Sequence, residues 1–274
     1  MKVKRAHFCN MTAPNSLPAT APHNRTSDEI PIEQVVFCDF DGPIVDVSER
    51  YYRTYREGLR AIASICQEEH NIDLDITPLT KDQFWLRKQN KIADSEIASC
   101  SGVPAKWFGR YMQQVERIVN HSDLLCWDRI QPAAVEALVH FKQANMRLVL
   151  VTLRQPGQVN QFLRDQGLTH LVDEVYGASG ESAAYKNRVE HKRELLTEAM
   201  KQQQSKGYSL TQSWMVGDTE ADVLAAKEVG LPSAALSCGV RSADYLRSLN
   251  PTEVYSELLT AAQAVVGTAE WQAA

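Results

Sequence analysis

Four acidic side chains stand where an apolar run stops. In "VVFCDFDGPIVD", Val35 to Asp46, a buried-strand pattern ends in Asp39 and Asp41. In "MVGDTEADVLAAKEVG", a second apolar run ends in Asp218, with Asp222 four residues on. Asp39 and Asp41 are separated by one residue, so an extended chain points them the same way. Like charges this close are costly unless a cation or a shared proton relieves them. A D-x-D-G turn after a strand is the plainer alternative, since Asp and Gly both favour turns. A calcium loop of EF-hand type does not fit: its sixth position needs Gly and is Ile44, and its twelfth needs Glu and is Arg50. For Asp222 the alternative is a capping box with Thr219 as N-cap.

Two further residues fit the same chemistry. Thr152 ends the apolar run "RLVLVT". Its hydroxyl and the following backbone N–H groups suit phosphate oxygens, with Arg154 assisting. A strand-terminal threonine and an exposed arginine are the ordinary readings of those two. Lys192 lies on a helical stripe with Val189, Leu196 and Ala199 at i−3, i+4 and i+7. Lysine is almost never fully buried unpaired, so it should reach a partner, and clustered carboxylates would supply one. A side chain snorkelling from the stripe's edge competes with that reading. Lys186 is a rival on the preceding loop.

The elements that must position these residues follow from periodicity. "EQVVFCDF" reads as a buried strand. Residues from about 48 to 128 read as all-helical, beginning with "YYRTYREGLRAIASICQEEH" and continuing through "KDQFWLRKQNK", "DSEIASCSG" and "PAKWFGRYMQQVERIVNH". From 132 onward strands and helices alternate. Pro132 suits the first turn of a helix running to about Ala144. The strands "RLVLVT", "VDEVYG", "QSWMVGD" and "PSAALS" are separated by "GQVNQFLRDQG", "RVEHKRELLTEAMKQQQ" and "EADVLAAKEVG". Helices near "SADYLRSL" and "TEVYSELLTAAQAVV" close the chain. This alternation argues for an α/β fold with a doubly wound, Rossmann-like parallel sheet. The expected division is a flexible tail at 1–33, an α/β core at 34–47 and 129–274, and an inserted α-helical cap domain at 48–128.

Composition narrows the function classes. The chain has 274 residues, 44% hydrophobic and 23% charged, with a net charge of −5. No basic excess points to nucleic acid. No apolar run approaches the ~20 residues of a membrane helix. Six cysteines, with no C-x-x-C pair, read as reduced and mostly buried thiols, which fits a cytoplasmic protein. The N-terminus starts basic but has no apolar signal core. Composition sets no oligomeric state.

In order, "DFDGPIVD", "LVLVT", the helix with Lys192 and "GDTEAD" resemble the haloacid dehalogenase superfamily, in its phosphatase branch. The resemblance runs from about residue 35 to 260. It implies that Asp39 is the nucleophile that forms an aspartyl-phosphate. Asp41 would protonate the leaving alkoxide and then activate water. Mg2+ would sit between Asp39, the backbone carbonyl of Asp41 and Asp218, with Asp222 in its outer shell. Thr152 would hydrogen-bond the phosphoryl group, and Lys192 would neutralise its charge. The branch that removes halide lacks an aspartate at the position of Asp41, so dehalogenation is disfavoured. The helical insertion is similar to the mobile cap of the phosphoglycolate phosphatase and phosphoglucomutase-like group. Pro43 stands where the family usually has Thr or Val, and "VTLR" lacks the usual Asn after the threonine or serine.

The expected function is a magnesium-dependent phosphatase acting on a small phosphorylated metabolite. A phosphotransferase of β-phosphoglucomutase type and a non-catalytic phosphate-binding regulator are the alternatives. Arg87, Lys88 and Lys91 form a cationic cluster in the insertion, to be weighed as a substrate contact against a solvated helix face. Trp85 and Trp107 read as core of the cap.

Overall fold

Strand β1, Gln34–Cys38, is apolar on both faces, and the sheet is wound around it. The computed structural model describes residues 34–180 and 182–273; the predicted N-terminal tail and Cys9 lie outside them. The remaining strands are β2 Val45–Asp46, β3 Arg129–Ile130, β4 Met146–Thr152, β5 Glu174–Gly177, β6 Ser209–Gly217, β7 Ser233–Leu236 and β8 Glu253–Tyr255. Six of them form one sheet in the order β5-β4-β1-β6-β7-β8. Every pairing in that sheet is parallel. β2 and β3 form a separate antiparallel pair.

The helices are α1 Ser48–His70, α2 Lys81–Gln89, α3 Asp94–Cys100, α4 Phe108–Ile118, α5 Ser122–Leu125, α6 Ala134–Gln143, α7 Pro156–Asp165, α8 Ala183–Lys186, α9 Val189–Ser205, α10 Glu220–Val229, α11 Ala243–Ser248 and α12 Leu258–Ala273. α1 to α5 lie between β2 and β3, which matches the predicted all-helical stretch.

Both faces of the sheet are covered, as an all-parallel sheet requires. Alternation along β1 assigns the faces. Val35 and Phe37 pack with Val149, Val151, Met215, Leu196 of α9 and Ala225 of α10. Val36 and Cys38 face the other way, toward Phe141 of α6, Leu163 of α7 and Ala262 of α12. The second cluster continues into Tyr55, Leu59 and Ile62 of α1 and Val115 of α4, so the helical insertion shares its core with the sheet. Trp85 and Trp107 pack against that cluster, as expected.

Local chemistry sets the helix ends nearest the carboxyl edge. Thr80 and Gln83 form a capping box at the start of α2. Thr219 and Asp222 do the same for α10, which ends on Gly230 at φ 77°. That left-handed conformation favours glycine.

Three boundaries differ from the sequence reading. "TEVY" was expected to open a helix, but Glu253–Tyr255 pairs with β7 as an edge strand. Three residues are too few to show a period of two before the α12 pattern begins. Pro132 precedes α6 rather than occupying its first turn, because Ala133 takes a left-handed φ of 58° and the helix starts at Ala134. β6 begins at Ser209, ahead of the predicted Gln212. Among the described cysteines, Cys100 and Cys126 are exposed, so the thiols are less uniformly buried than expected. All five described cysteines are free. No helix among the described residues is long and apolar enough to cross a membrane.

At the start of β5, Glu174 joins a polar cluster. It takes hydrogen bonds from Arg147 Nη2 (2.5 Å), the Tyr176 hydroxyl (2.7 Å) and Gln203 Nε2 (3.0 Å), and it pairs with Lys206. Burial alone would raise its carboxyl, but these donors outweigh it and hold the group at about 2, below its ordinary 4.5. A depressed carboxylate stabilises the fold above its unfolded value and loses that contribution as pH falls through the folded one. Wild-type stability should therefore decline between about pH 4.5 and 2 in part through this group. Glu174→Gln should lower stability at neutral pH by ~1 kcal/mol, a magnitude reduced by solvent screening. The difference should vanish near pH 2. Urea melts of both proteins across that range are the check, and a pH-independent difference would show that the charge is irrelevant.

Candidate active site

β4, β1 and β6 are neighbours at the centre of the sheet, so their carboxyl ends meet. Thr152 ends β4, Asp39 follows β1 and Asp218 follows β6. The topology alone thus gathers three of the predicted residues at the place where open α/β sheets bind ligands. Asp41 lies on the turn after β1, where the Gly42 N–H bonds the Val45 carbonyl at 2.9 Å. Gly42 has φ +100°, and a Cβ there would sit 2.1 Å from the Asp218 carboxyl carbon. Only glycine allows this turn to pass beside Asp218.

Asp39, Asp218 and Asp222 each bring a carboxylate oxygen within 4.8 Å of the others. All three are buried. Lys192, fully buried on the inner face of α9, is their counter-ion. Its ammonium lies 2.9 Å from Asp39 Oδ2 and 2.8 Å from Asp222 Oδ1. Its third bond, 3.0 Å long, goes to the Val151 carbonyl of β4. An ammonium has three donors, and three oxygens surround this one. Lys192 therefore pairs rather than snorkels. Lys186, the rival, pairs with Glu116 on the surface.

Asp222 forms the capping box and also faces Lys192. Its Oδ2 accepts from the Thr219 N–H (3.0 Å) and hydroxyl (2.8 Å), while Oδ1 faces Lys192. Asp218 Oδ2 accepts from the Val240 N–H at 2.5 Å, but its buried Oδ1 has no hydrogen-bond partner.

The charges do not balance. Three carboxyl groups face one ammonium, so full ionisation would leave two negative charges in a buried site. Burial, with Asp222 nearby, pushes Asp39 up to about 7 despite Lys192. Burial, with Asp222 and Asp39, raises Asp218 strongly. Such a site relaxes by taking up protons or a cation. The donor set fits a small hard divalent ion: all ligands are oxygen, and one buried oxygen is unused. Glycines keep the space around it open. A Cβ at Gly239 would meet Asp218 Oδ2 at 2.1 Å, and one at Gly217 would meet the Asp222 carboxyl at 2.2 Å. Asp39, Asp218 and Asp222, with the Asp41 carbonyl, are the groups that could hold Mg2+.

Asp41 has a different environment. Arg50 Nη2 lies 2.9 Å from its Oδ2, and Arg154 Nη2 lies 2.7 Å from its Oδ1. Both arginines also grip Asp128, at 2.8 and 2.6 Å. Burial would raise the Asp41 carboxyl, but the Arg154 and Arg50 guanidiniums overcome it and hold Asp41 below the usual carboxylate range. Arg154 is thus buried and engaged, which corrects its reading as an exposed side chain. Its guanidinium is taken by Asp41 and Asp128 and does not line the cavity. The backbone N–H of Arg154 bonds the Thr152 hydroxyl oxygen at 3.2 Å.

One cavity is lined by Asp39, Asp41 and Thr152 on the sheet side and by Tyr51, Lys88 and Tyr185 opposite. The cationic cluster of the insertion is divided. Lys88 is buried and reaches the cavity, Lys91 pairs with Glu220, and Arg87 bonds the Gln83 carbonyl. Sequence reasoning missed Arg50 and Asp128. Arg50 carried a signal, being a charged residue one turn before Thr54 on the buried face of α1. Asp128 lies between elements, and no period marks it.

The family model "Haloacid dehalogenase-like hydrolase" matches residues 35–236. A curated relative, "Probable phosphatase IndB" of Dickeya dadantii, is 26% identical over 240 residues, covering 86% of this chain and 96% of its own. Two solved structures have the same fold. One, from Clostridium acetobutylicum and described as a predicted phosphatase, has TM-score 0.61 at 16% identity over 86% of this chain and 99% of its own. The other, from Haemophilus somnus and described as a predicted phosphoglycolate phosphatase, has TM-score 0.59 at 17% identity over 86% and 99%.

If the carboxylates repel one another, removing one charge should stabilise the fold when no cation is supplied. Asp218→Asn should raise stability without divalent cations by about 1 kcal/mol, through relief of like-charge contact. Excess magnesium should stabilise the wild type by about 2–3 kcal/mol at a hundredfold excess over Kd, and the variant far less. Thermal melts with chelator and with magnesium test both. A variant that magnesium stabilises as well as wild type would remove Asp218 from any metal site.

Proposed function

The chain belongs to the haloacid dehalogenase-like hydrolase family, and on that basis we propose that it is a magnesium-dependent phosphatase that hydrolyses a small phosphomonoester through an aspartyl-phosphate. The observation that carries this reading is the Asp39 carboxylate, held 2.9 Å from the Lys192 ammonium at the wall of a cavity that Asp41 also lines.

Phosphoryl transfer is mainly positioning and charge stabilisation. A carboxylate approaches a phosphate only when cations offset their repulsion. Mg2+, held by Asp39, the Asp41 carbonyl and Asp218 with Asp222 in its outer shell, would neutralise charge on the phosphoryl oxygens. The other contributions come from the chain. The Phe40 N–H donates to Asp39 Oδ1 at 2.7 Å and Lys192 holds Oδ2, which fixes the nucleophile's orientation. Its oxygen forms the bond to phosphorus while the ester oxygen departs with the bonding pair. The Thr152 hydroxyl and adjacent backbone N–H groups steady the phosphoryl group.

Asp41 supplies the proton to the departing oxygen and recovers one from the water that attacks phosphorus. That water breaks the Asp39–phosphate bond and releases inorganic phosphate, so the cycle closes without another base. Arg50 and Arg154 favour the carboxylate form of Asp41, which suits the second half. Protonation for the first half weakens both contacts. The helical insertion, residues 48–128, acts as the cap that covers the site and excludes water. Tyr51 of α1 and Lys88 of α2 are its contributions to the cavity wall.

Two substitutions test the assignments. Asp39→Asn should lower Mg-dependent hydrolysis of 4-nitrophenyl phosphate by about a thousandfold or more. Equal rates in the two proteins would sink the reading. Asp41→Asn should hurt alkyl phosphates, whose leaving oxygen needs a proton, far more than aryl ones, with a difference of about a hundredfold. A uniform loss across leaving groups would deny Asp41 the acid role.

A further inference from the structure

Lys88 has hydrogen-bonding capacity that nothing in the described site uses. It is 9% exposed, and it lines the cavity together with Asp39 and Asp41. Its ammonium makes one hydrogen bond, to Asp94 Oδ1 at 2.9 Å, and lies 4.9 Å from the centre of the Tyr185 ring. The contrast with Lys192 is direct, because that ammonium is enclosed by two carboxylates and a carbonyl. The other cation at the cavity wall, Arg241, is also committed. Its Nε and Nη2 grip Glu220 at 2.7 and 3.1 Å, and its Nη1 bonds the Lys88 and Val240 carbonyls. Burial pulls the Lys88 ammonium below its ordinary value, so an anion placed against it would offset a standing penalty.

We propose that Lys88 selects the substrate, and that the preferred ester carries a second anionic group, a carboxylate or a further phosphate, close to its phosphoryl group. This rests on the phosphatase reading and sharpens it. Asp94 fixes the direction of the ammonium, while the Tyr185 ring lies beneath it and Tyr51 lies 5.6 Å from that ring. The remaining N–H bonds can then meet an acceptor inside the cavity. Lys88 and the catalytic carboxylates wall one shared space, so the two anionic groups must be joined by a short spacer. A neutral terminus leaves the donors unfilled. A cationic one adds repulsion, and rejection of that kind separates substrates by larger factors than shape alone.

The test compares kcat/KM for esters on one two-carbon skeleton: 2-phosphoglycolate, ethylene glycol bisphosphate, 2-hydroxyethyl phosphate and phosphoethanolamine. Wild type should favour an anionic member over the neutral one by at least about tenfold and disfavour the cationic one. Whichever anionic ester leads identifies the carboxylate or the phosphate as the recognised group. Lys88→Met should bring the anionic-to-neutral ratio close to one, and Lys88→Arg should restore part of it. A ratio unchanged in Lys88→Met, or a loss equal for all four esters, would make Lys88 a purely structural partner of Asp94. If Lys88→Met does not fold, the wild-type ranking alone decides: no preference for an anionic ester overturns the proposal. A wild type that turns over 4-nitrophenyl phosphate yet shows no preference overturns only this inference. One that turns over neither 4-nitrophenyl phosphate nor any of the esters overturns the phosphatase reading as well.

Discussion

An excess of buried carboxyl groups over cations at the carboxyl edge of a parallel sheet sets the terms for the rest of the structure. Asp39, Asp218 and Asp222 converge, and Lys192 pairs with two of them through a single positive charge. A hydrophobic core alone would not tolerate that arrangement, since leaving a buried charge unpaired costs several kcal/mol. The fold accepts it because β4, β1 and β6 must lie side by side for their apolar faces to be covered by helices on both sides. Their ends then meet whatever residues occupy them. The glycines at 42, 217 and 239 complete the constraint, because a side chain at any of them would collide with the acidic groups. The local excess of acidic groups is therefore built in, and such a site relaxes by taking up protons or a cation.

The second group of buried charges is balanced, and it connects the insertion to the site. Arg50 belongs to the first turn of α1, Asp128 to the return segment before β3, and Arg154 to the turn after β4. All three meet at Asp41 or through it. Both chain crossings between sheet and insertion are thus tied to one carboxylate of the site. On the far side of the cavity, Arg241 bonds the Lys88 carbonyl and the Ser242 N–H bonds the Gln89 carbonyl at 2.9 Å, so α2 is held against the β7–α11 loop. The insertion is thus tied to the core at Asp41 and at Arg241, both of which line the same cavity.

Much of this was legible from residue order. Strand ends are easy to read because an apolar run stops at a polar residue, and Asp39, Thr152 and Asp218 announce themselves that way. Lys192 was legible because a lysine on an apolar stripe violates the helical pattern unless it has a partner. Arg154 was misjudged because its acceptors, Asp41 and Asp128, are remote in sequence, and no local pattern reveals that a loop arginine will be enclosed. The cluster Arg87, Lys88, Lys91 illustrates the same limit. Charge spacing on α2 identifies three cations, but only tertiary packing sends Lys88 to the cavity and Lys91 to Glu220. Short strands such as β2, β3 and β8 carry too few residues for a period, and they exist because a neighbour pairs with them.

The central claim is that Asp39 accepts a phosphoryl group beside a divalent cation held by Asp39 and Asp218. Its most direct test is a crystal structure grown with manganese and beryllium trifluoride, where manganese is located by anomalous scattering and the fluoride complex mimics the phosphoryl group. The account predicts beryllium bonded to an Asp39 carboxylate oxygen, a manganese peak against Asp39 and Asp218, and Lys192 and Thr152 against the fluorides. Beryllium on another residue, or a manganese peak away from these carboxylates, would contradict it.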